Sequence, residues 1–365
     1  MENNLFNLAL SLIKGIGRSK YIKLIEKFST AENIFRLTKA ELQNTIKDKN
    51  ICIDILGKKT LAEAEEIIKN HQKNNVNIIS LFDNEYPTRL KEIYDPPLFI
   101  YYKGENILNN KRMLSVIGTR EPTVYGLNNC KNFIKELKDY NITIISGLAY
   151  GIDITAHKEA LNNNIATISV LAGGVDIIYP SVHKPIYDKI LENNGCILSE
   201  FPLGTKHDKF RFPLRNRIIA GLSDGILVIE AGEKSGTEIT ALCGNEYNRE
   251  VFAIPGNINS NKSTGCNKMI QNNKATLITN SIDIIKNLNW DIQNKNTLDK
   301  NRSEIVLSKD EQEVYSTIKN KNTISFDEIY DTLNLETNEL SSILLKLEIS
   351  NLIRSSQGDK YTLIY

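Results

Sequence analysis

Residues 142–151 read ITIISGLAYG, a short β-branched run that ends abruptly in small and glycine-rich residues. The same device recurs along the middle of the chain. Met113 to Ile117 runs into Gly118-Thr119-Arg120, Thr167 to Leu171 into Ala172-Gly173-Gly174, and Ile197 to Ser199 into Glu200. Ile226 to Ile229 meets Glu230-Ala231-Gly232, Val251 to Ile254 meets Pro255-Gly256-Asn257, and Thr276 to Ile278 closes the set. Helical pattern separates the runs, and strict alternation of strand and helix predicts an α/β fold with a doubly wound, mostly parallel sheet over residues 76–290. In such a sheet every strand ends at one edge, and ligands bind in the crevice there. Gly118, Gly147, Gly151, Gly173, Gly236 and Gly256 are therefore expected on one rim with Arg120, Lys209 and Arg217.

Residues 208–224 read DKFRFPLRNRIIAGLSD. Here Lys209, Arg211, Arg215 and Arg217 are interleaved with Phe210, Phe212 and Pro213 across an apparent strand-to-helix connection. A helix built for packing keeps its cations on one solvated face. The mixture suits phosphates and stackable bases, in a nucleotide or a single-stranded nucleic acid. The alternative is a loop whose arginines tie carboxylates such as Glu200 and Glu230 into the scaffold, and Arg215 and Arg217, at the start of a helix, fit either role. Arg120 follows a strand and the tight turn at Gly118-Thr119, which lets its guanidinium reach a rim phosphate. Ser146-Gly147 and Ser235-Gly236-Thr237 each read as a helix opening that offers N–H groups to phosphate. For the glycines, close helix-to-strand packing is the competing explanation.

Charge does not announce a polyanion binder. The 365 residues carry 45 basic and 44 acidic side chains, a net of +1, so any such site must be a local concentration of charge. Cys52, Cys130, Cys196, Cys243 and Cys266 are scattered, without a C-x-x-C pair or a His at metal-ligand spacing, and read as reduced, mostly buried residues. No metal, cofactor or catalytic residue is expected. No apolar run approaches the roughly 20 residues that span a bilayer, and the N-terminal LFNLALSLI lacks the flanks of a signal peptide. The expected location is the cytoplasm.

Residues 1–75 show helical periodicity, with Leu8, Leu12, Ile13 and Ile16 and then Ile22, Leu24, Ile25 and Phe28. Between these stripes lies Lys14-Gly15-Ile16-Gly17-Arg18. A Gly-x-Gly turn feeding a helix leaves free N–H groups where phosphate is favoured, so Lys14, Gly15, Gly17 and Arg18 form a candidate secondary DNA contact. The segment resembles a SAM or helix-hairpin-helix domain, and a plain turn in a small bundle is the alternative. Residues 291–303, rich in Asn, Lys, Asp and Gln, read as a linker. Beyond it, Ser308 with Glu311 and Ser325 with Glu328 have capping-box spacing, a third helix is expected over 338–349, and a terminal hairpin completes a winged helix over 304–365. That module holds 6 basic and 11 acidic side chains, a balance that favours a protein contact over duplex reading.

Taken together these motifs resemble the DNA-processing protein A family, also called Smf. The matching segments are Gly118-Thr119-Arg120, SGLAYGIDITAHKEAL at 146–161, LAGGVDIIYP at 171–180, SEFPLGT at 199–205, FPLRNRIIAGLSDGILVIEA at 212–231, SGTEITA at 235–241 and FAIPGN at 252–257. The resemblance implies an extended Rossmann-like fold that binds single-stranded DNA without strong sequence preference. It also implies help in loading RecA during transformation and recombination, and a homodimer through the Rossmann-like domain, with the helix around Met269 and Ile270 as the expected place of contact. It puts Arg120, Lys209 and Phe212 at the DNA site.

A rival reading comes from the phosphoribohydrolase and lysine-decarboxylase-like proteins, nucleotide-processing enzymes that share this architecture and carry P-G-G-x-G-T-x-x-E. Here Ser235-Gly236-Thr237 keeps the phosphate loop, but Thr240 stands in the place of the acting Glu and the Pro-Gly-Gly opening is missing. Asp153 and His157, at i and i+4, form either an acid–base pair or a structural pair that fixes a helix start.

Overall fold

The computed structural model describes residues 2–290 apart from 234, and 308–363 apart from 322, 334, 351 and 357–359. The linker expected over 291–303 lies outside them. Two compact units emerge, residues 1–292 and 293–365.

The first unit opens with six helices, α1 (Glu2–Leu12), α2 (Arg18–Phe28), α3 (Ala31–Arg36), α4 (Lys39–Thr45), α5 (Lys49–Gly57) and α6 (Lys59–Lys73). Polar residues set their starts. Thr30 accepts the Asn33 N–H, Thr38 and Glu41 form a reciprocal capping box, and Asp48 accepts the Asn50 N–H. The apolar stripes of these helices do not close on themselves. Leu10, Ile34, Leu42 and Ile55 belong to one hydrophobic core with Phe99, Tyr101, Ile190 and Ile197 of the α/β region, so the helical segment is packed onto the sheet.

The α/β region continues through β1 (Asn77–Ser80), α7 (Thr88–Lys91), β2 (Phe99–Gly104), β3 (Met113–Ile117), α8 (Val124–Glu136), β4 (Thr143–Ser146), α9 (Ile152–Asn162), β5 (Ala166–Leu171), α10 (Lys184–Glu192) and β6 (Cys196–Ser199). Then come α11 (Arg211–Leu222), β7 (Gly225–Val228), α12 (Gly236–Glu246), β8 (Glu250–Ala253), α13 (Thr264–Gln271), β9 (Thr276–Leu277) and α14 (Ser281–Asn287). All seven expected strands are present within a residue of their predicted ends. Among the described residues they belong to a nine-stranded sheet of order β1-β2-β6-β5-β4-β3-β7-β8-β9. β3 to β9 pair in parallel, whereas β2 joins β6 and β1 joins β2 antiparallel. β1 and β2 escape the sequence pattern because no crossover helix follows either of them in the parallel sense. The four-residue α7 merely turns the chain back.

β3 is flanked by β4 on one side and β7 on the other, so the winding reverses at β3. Helices cover both faces there, which is why β3, β4 and β7 are buried along their whole length and read as largely apolar runs. A polar clamp fixes the opposite end of the sheet. The Arg89 guanidinium meets both oxygens of Asp224 at 2.5 and 3.0 Å and donates to the carbonyls of Asn110 and Lys111, while Asp224 accepts the Met113 N–H. Four cysteines are buried and all five are unbridged. Met269 lies in the core, 4% exposed, and Ile270 is packed against that core. Among the described residues no helix is long and apolar enough to cross a membrane.

The second unit comprises α15 (Lys309–Lys321), β10 (Thr323–Ser325), α16 (Phe326–Leu333), α17 (Thr337–Ile349), β11 (Ile353–Ser356) and β12 (Lys360–Leu363). Both expected capping boxes form: Glu311 and Glu328 accept the backbone N–H of Ser308 and Ser325, whose hydroxyls accept in return. The helices close over Val314, Ile318, Ile329, Leu340, Leu344 and Leu347. The hairpin of β11 and β12 gains a third strand, β10, too short to be legible as periodicity. This is a winged helix.

Candidate nucleic-acid interface

At the point where the sheet's winding reverses, the segments following β3 and β7 and the N-terminus of α11 enclose a crevice of about 600 Å3. Gly118, Thr119 and Arg120 form one wall, Lys209 and Phe212 another, and Ser235, Gly236 and Thr237 the third. Residues up to 119 apart in sequence are thus brought together by topology. The Arg120 guanidinium lies 5.7 Å from the centre of the Phe212 ring, within cation–π range. Lys209 sits 5.0 Å from the exposed Phe210 ring. Among the described residues neither cation has a hydrogen-bond or ion-pair partner, so both charges are open to an incoming anion.

The third wall is a helix start with its cap left open. Ser235 has the extended backbone of an N-cap, yet its hydroxyl accepts no N–H of α12 and, although buried, has no hydrogen-bond partner. The Glu238 N–H turns back to the Ser235 carbonyl at 3.0 Å, while Gly236 and Thr237, at the positive end of the helix dipole, line the crevice. Thr240 lines the same crevice where the enzyme motif would place a Glu.

Two aromatic residues were not singled out from the sequence. Tyr179 lines the crevice, stacks on His207 at 4.1 Å and tilts against Phe212 at 5.8 Å, building a platform of three rings. Tyr179 sits far from the cation-rich segment in sequence, and only its place between a glycine-rich strand end and Pro180 marked it.

Other expected site residues have different duties. Arg215, 5% exposed, lines the floor of the crevice but spends its guanidinium on the carbonyls of Gly147 (2.5 Å) and Val170 (2.7 Å). Arg217 was expected on the rim. It turns away, paired with Glu200 at 2.5 Å and bound to the Asp95 carbonyl. Of the two carboxylates considered as arginine partners, Glu200 takes that role, and Glu230 does not. Ser146 and Gly147 open no helix, because α9 begins at Ile152. The Ser146 hydroxyl donates to Val116 O, and the Gly147 N–H donates to Asp153 Oδ2. A Cβ on Gly147 would lie 2.4 Å from Arg215 Nη1, which explains the glycine by packing. Gly151 is needed for its backbone: its φ is +78°, and a Cβ there would stand 2.3 Å from Thr119 O. Gly173 packs beneath residues 205–207, and Gly256 borders a separate hollow.

Asp153 and His157 do not face each other as acid and base. The Asp153 carboxylate holds the Gly147 N–H, and burial raises its pKa against the opposing pull of Arg215. His157 Nδ1 meets the Thr167 hydroxyl at 2.8 Å, and burial, with the charges of Arg215 and His183, lowers the ring to about 3. Each is thus engaged inside the fold, and Asp153 also lines the crevice.

The secondary candidate gathers elsewhere. Gly15, at φ +90°, turns the chain, Gly17 caps α2, and both line an open hollow of about 590 Å3 with Arg18, Ser19, Lys20 and Lys23. Lys14 does not line it. Among the described residues no group of three His, Cys, Asp or Glu side chains is arranged to hold a metal.

A family model described as DNA recombination-mediator protein A matches residues 77–289, and one described as the DprA winged helix domain matches 299–359. The DNA processing protein DprA of Bacillus subtilis is 35% identical over 268 residues, 73% of this chain and 90% of that protein. DprA of Streptococcus pneumoniae is 42% identical over 206 residues, 56% of this chain and 72% of the relative. The X-ray structure of DprA from Streptococcus pneumoniae aligns with a TM-score of 0.64 at 31% identity, covering 78% of this chain and 97% of that one. A structure of DNA processing protein A from Helicobacter pylori, described for its single-stranded DNA binding mode, aligns with a TM-score of 0.52 at 30% identity over 58% of this chain and 95% of that one.

The buried titratable groups beneath the crevice give two tests. Arg215→Ala should destabilise the fold by about 1–3 kcal/mol in urea unfolding, because the buried carbonyls of Gly147 and Val170 lose their donor. A variant as stable as wild type would return Arg215 to a ligand role. For His157, a folded value of about 3 against the ordinary 6.5 means that the unfolded chain binds the proton first. Its contribution to stability is lost as pH falls from 6.5 towards 3, at up to about 1.4 kcal/mol per pH unit. His157→Gln should flatten the pH dependence of the urea midpoint in that window, whatever its overall cost.

Proposed function

The chain belongs to the DNA recombination-mediator protein A family, and we propose that it binds single-stranded DNA in the crevice of Arg120, Lys209 and Phe212 without strong sequence preference. The observation that carries this reading is a pair of cations with no carboxylate partner beside a ring platform, at the reversal of a doubly wound sheet. Unpaired bases stack on Phe212 and Tyr179, Arg120 and Lys209 neutralise phosphates, and the start of α12 accepts another phosphate. Stacking is available only where bases are unpaired, so duplex is excluded by its own pairing. Gly118, Thr119, Ser235, Gly236 and Thr237 supply close backbone approach. Arg215 and Arg217 hold the floor and not the strand. We further propose a homodimer through the Rossmann-like domain that protects the strand in the cytoplasm and assists its loading with RecA during recombination, with α2 and its Gly15-Ile16-Gly17 turn as an auxiliary contact.

Gel shifts with oligo-dT and with blunt duplex at matched salt test the central claim. Single strands should bind far more tightly, with affinity falling steeply as salt rises. Phe212→Ala should cost about 1–3 kcal/mol with little change in salt slope, whereas Arg120→Ala or Lys209→Ala should flatten the slope by about one phosphate. Equal affinity for duplex and single strand would sink the reading.

The winged helix leads to a separate expectation. With 6 basic and 11 acidic side chains over 304–365, it adds little attraction for phosphate and suits a protein contact. Removing those residues should leave most single-strand affinity intact. A large loss in a truncated protein that keeps its circular dichroism would place the module on the DNA instead.

A further inference from the structure

The loop 118–123 borders two hollows. Its first residues line the crevice already described, while Thr123 and the opening of α8 line a second one of about 510 Å3, completed by Glu230, Pro255, Asn257 and Ser263. Both lie at the same edge of the sheet, the second between the ends of β7 and β8. Its aromatic wall is Tyr125, half exposed, whose hydroxyl donates to Pro255 O at 2.7 Å and so pins the ring to the loop after β8. That loop is fixed in turn. The Asn267 amide accepts from Gly256 N at 3.1 Å and donates to Gly256 O at 3.0 Å, and a Cβ on Gly256 would fall 2.2 Å from Ser263 Oγ.

The chemistry of this hollow differs from that of its neighbour. Among the described residues no cation lines it, and the one charged group there, the Glu230 carboxylate, accepts from the backbone N–H and the hydroxyl of Thr123. Phosphate is disfavoured beside that carboxylate. A flat neutral ring with polar edges suits it: apolar faces meet Tyr125 and Pro255, and edge donors and acceptors meet Asn257 and Ser263. We infer that this hollow is a second nucleobase subsite, filled by another base of the strand held at Arg120, an assignment that rests on the single-strand reading above. A free nucleotide would need a cation for its phosphate here, and Lys262, which follows these loops, is engaged with Glu121 at 3.1 Å. A base tethered through its own backbone to a phosphate at Arg120 needs none, because the first contact supplies a high effective concentration for the second.

Oligo-dT of graded length tests the assignment. Tyr125→Ala should weaken binding of long oligonucleotides about tenfold, the usual effect of one lost stack, and Tyr125→Phe, which keeps the ring, should restore most of it. On oligonucleotides shortened until they fill only the first crevice, the loss from Tyr125→Ala should vanish, while that from Phe212→Ala persists. Photocrosslinking of the wild-type protein to iodouracil-substituted oligonucleotides gives a readout independent of any variant's folding. Crosslinked peptides should contain both Phe212 and Tyr125. A Tyr125→Ala loss that ignores length, or crosslinks confined to the Phe212 peptide, would overturn the second subsite. Wild-type binding by Phe212→Ala would instead overturn the first.

Discussion

A buried guanidinium organises the strand-end edge of this protein. Arg215 projects from the first turns of α11 beneath the rim and donates to the carbonyls that end β4 and β5, those of Gly147 and Val170. Burial pulls its pKa down to about 10, and the Asp153 carboxylate opposes that fall. The carboxylate in turn holds the Gly147 N–H. Two strand ends, the start of α9 and the start of α11 are therefore tied together through the Gly147 peptide, in surroundings where an unsatisfied polar group would be costly. Gly147 has no side chain because the guanidinium occupies that space. Phe212 and Lys209, within two turns of Arg215, inherit their positions from it.

The architecture was written in the sequence wherever burial was two-sided. Parallel strands covered on both faces become largely apolar runs, and those were visible, most of them with glycines close behind their ends. β1 and β2 were not, because they join antiparallel at the sheet's margin without crossover helices, and β10 was too short to show a period. The site was legible in composition but not in division of labour. Interleaved arginines and phenylalanines marked residues 208–224, yet whether a given arginine points to solvent or to a carbonyl depends on partners scores of residues away. Arg217 meets Asp95 and Glu200, and Arg215 meets Gly147 and Val170, contacts that only the topology creates. Ser146-Gly147 and Ser235-Gly236 look alike as strings. The first pair is consumed inside the fold, and the second lies on the crevice.

Charge is distributed by pairing more than by number. The chain is almost neutral, with 45 basic and 44 acidic side chains, but its cations are not equivalent. Arg89 is committed to Asp224, Arg217 to Glu200 and Arg249 to Glu92. Arg120 and Lys209 contact rings and, among the described residues, have no ion-pair partner. A polyanion responds to such local fields over about 10 Å at moderate salt, so a nearly neutral protein can still concentrate attraction at one crevice.

The rigidity of that crevice follows from Glu230, at the end of β7. Its carbonyl accepts the Thr119 N–H at 2.7 Å, and its carboxylate accepts the Thr123 N–H and hydroxyl, both at 2.8 Å. One residue thereby fastens both ends of the loop that carries Arg120, and Thr123 passes the restraint on by capping α8. An arginine on a loose loop would lose conformational entropy with every phosphate it met, offsetting much of the Coulomb gain. Here the folding of the sheet has already fixed the loop. The same carboxylate also forms part of the second hollow's wall, so the ridge between the two hollows is a single braced segment. Movement at either hollow must strain the same hydrogen bonds, which makes the pair one rigid surface.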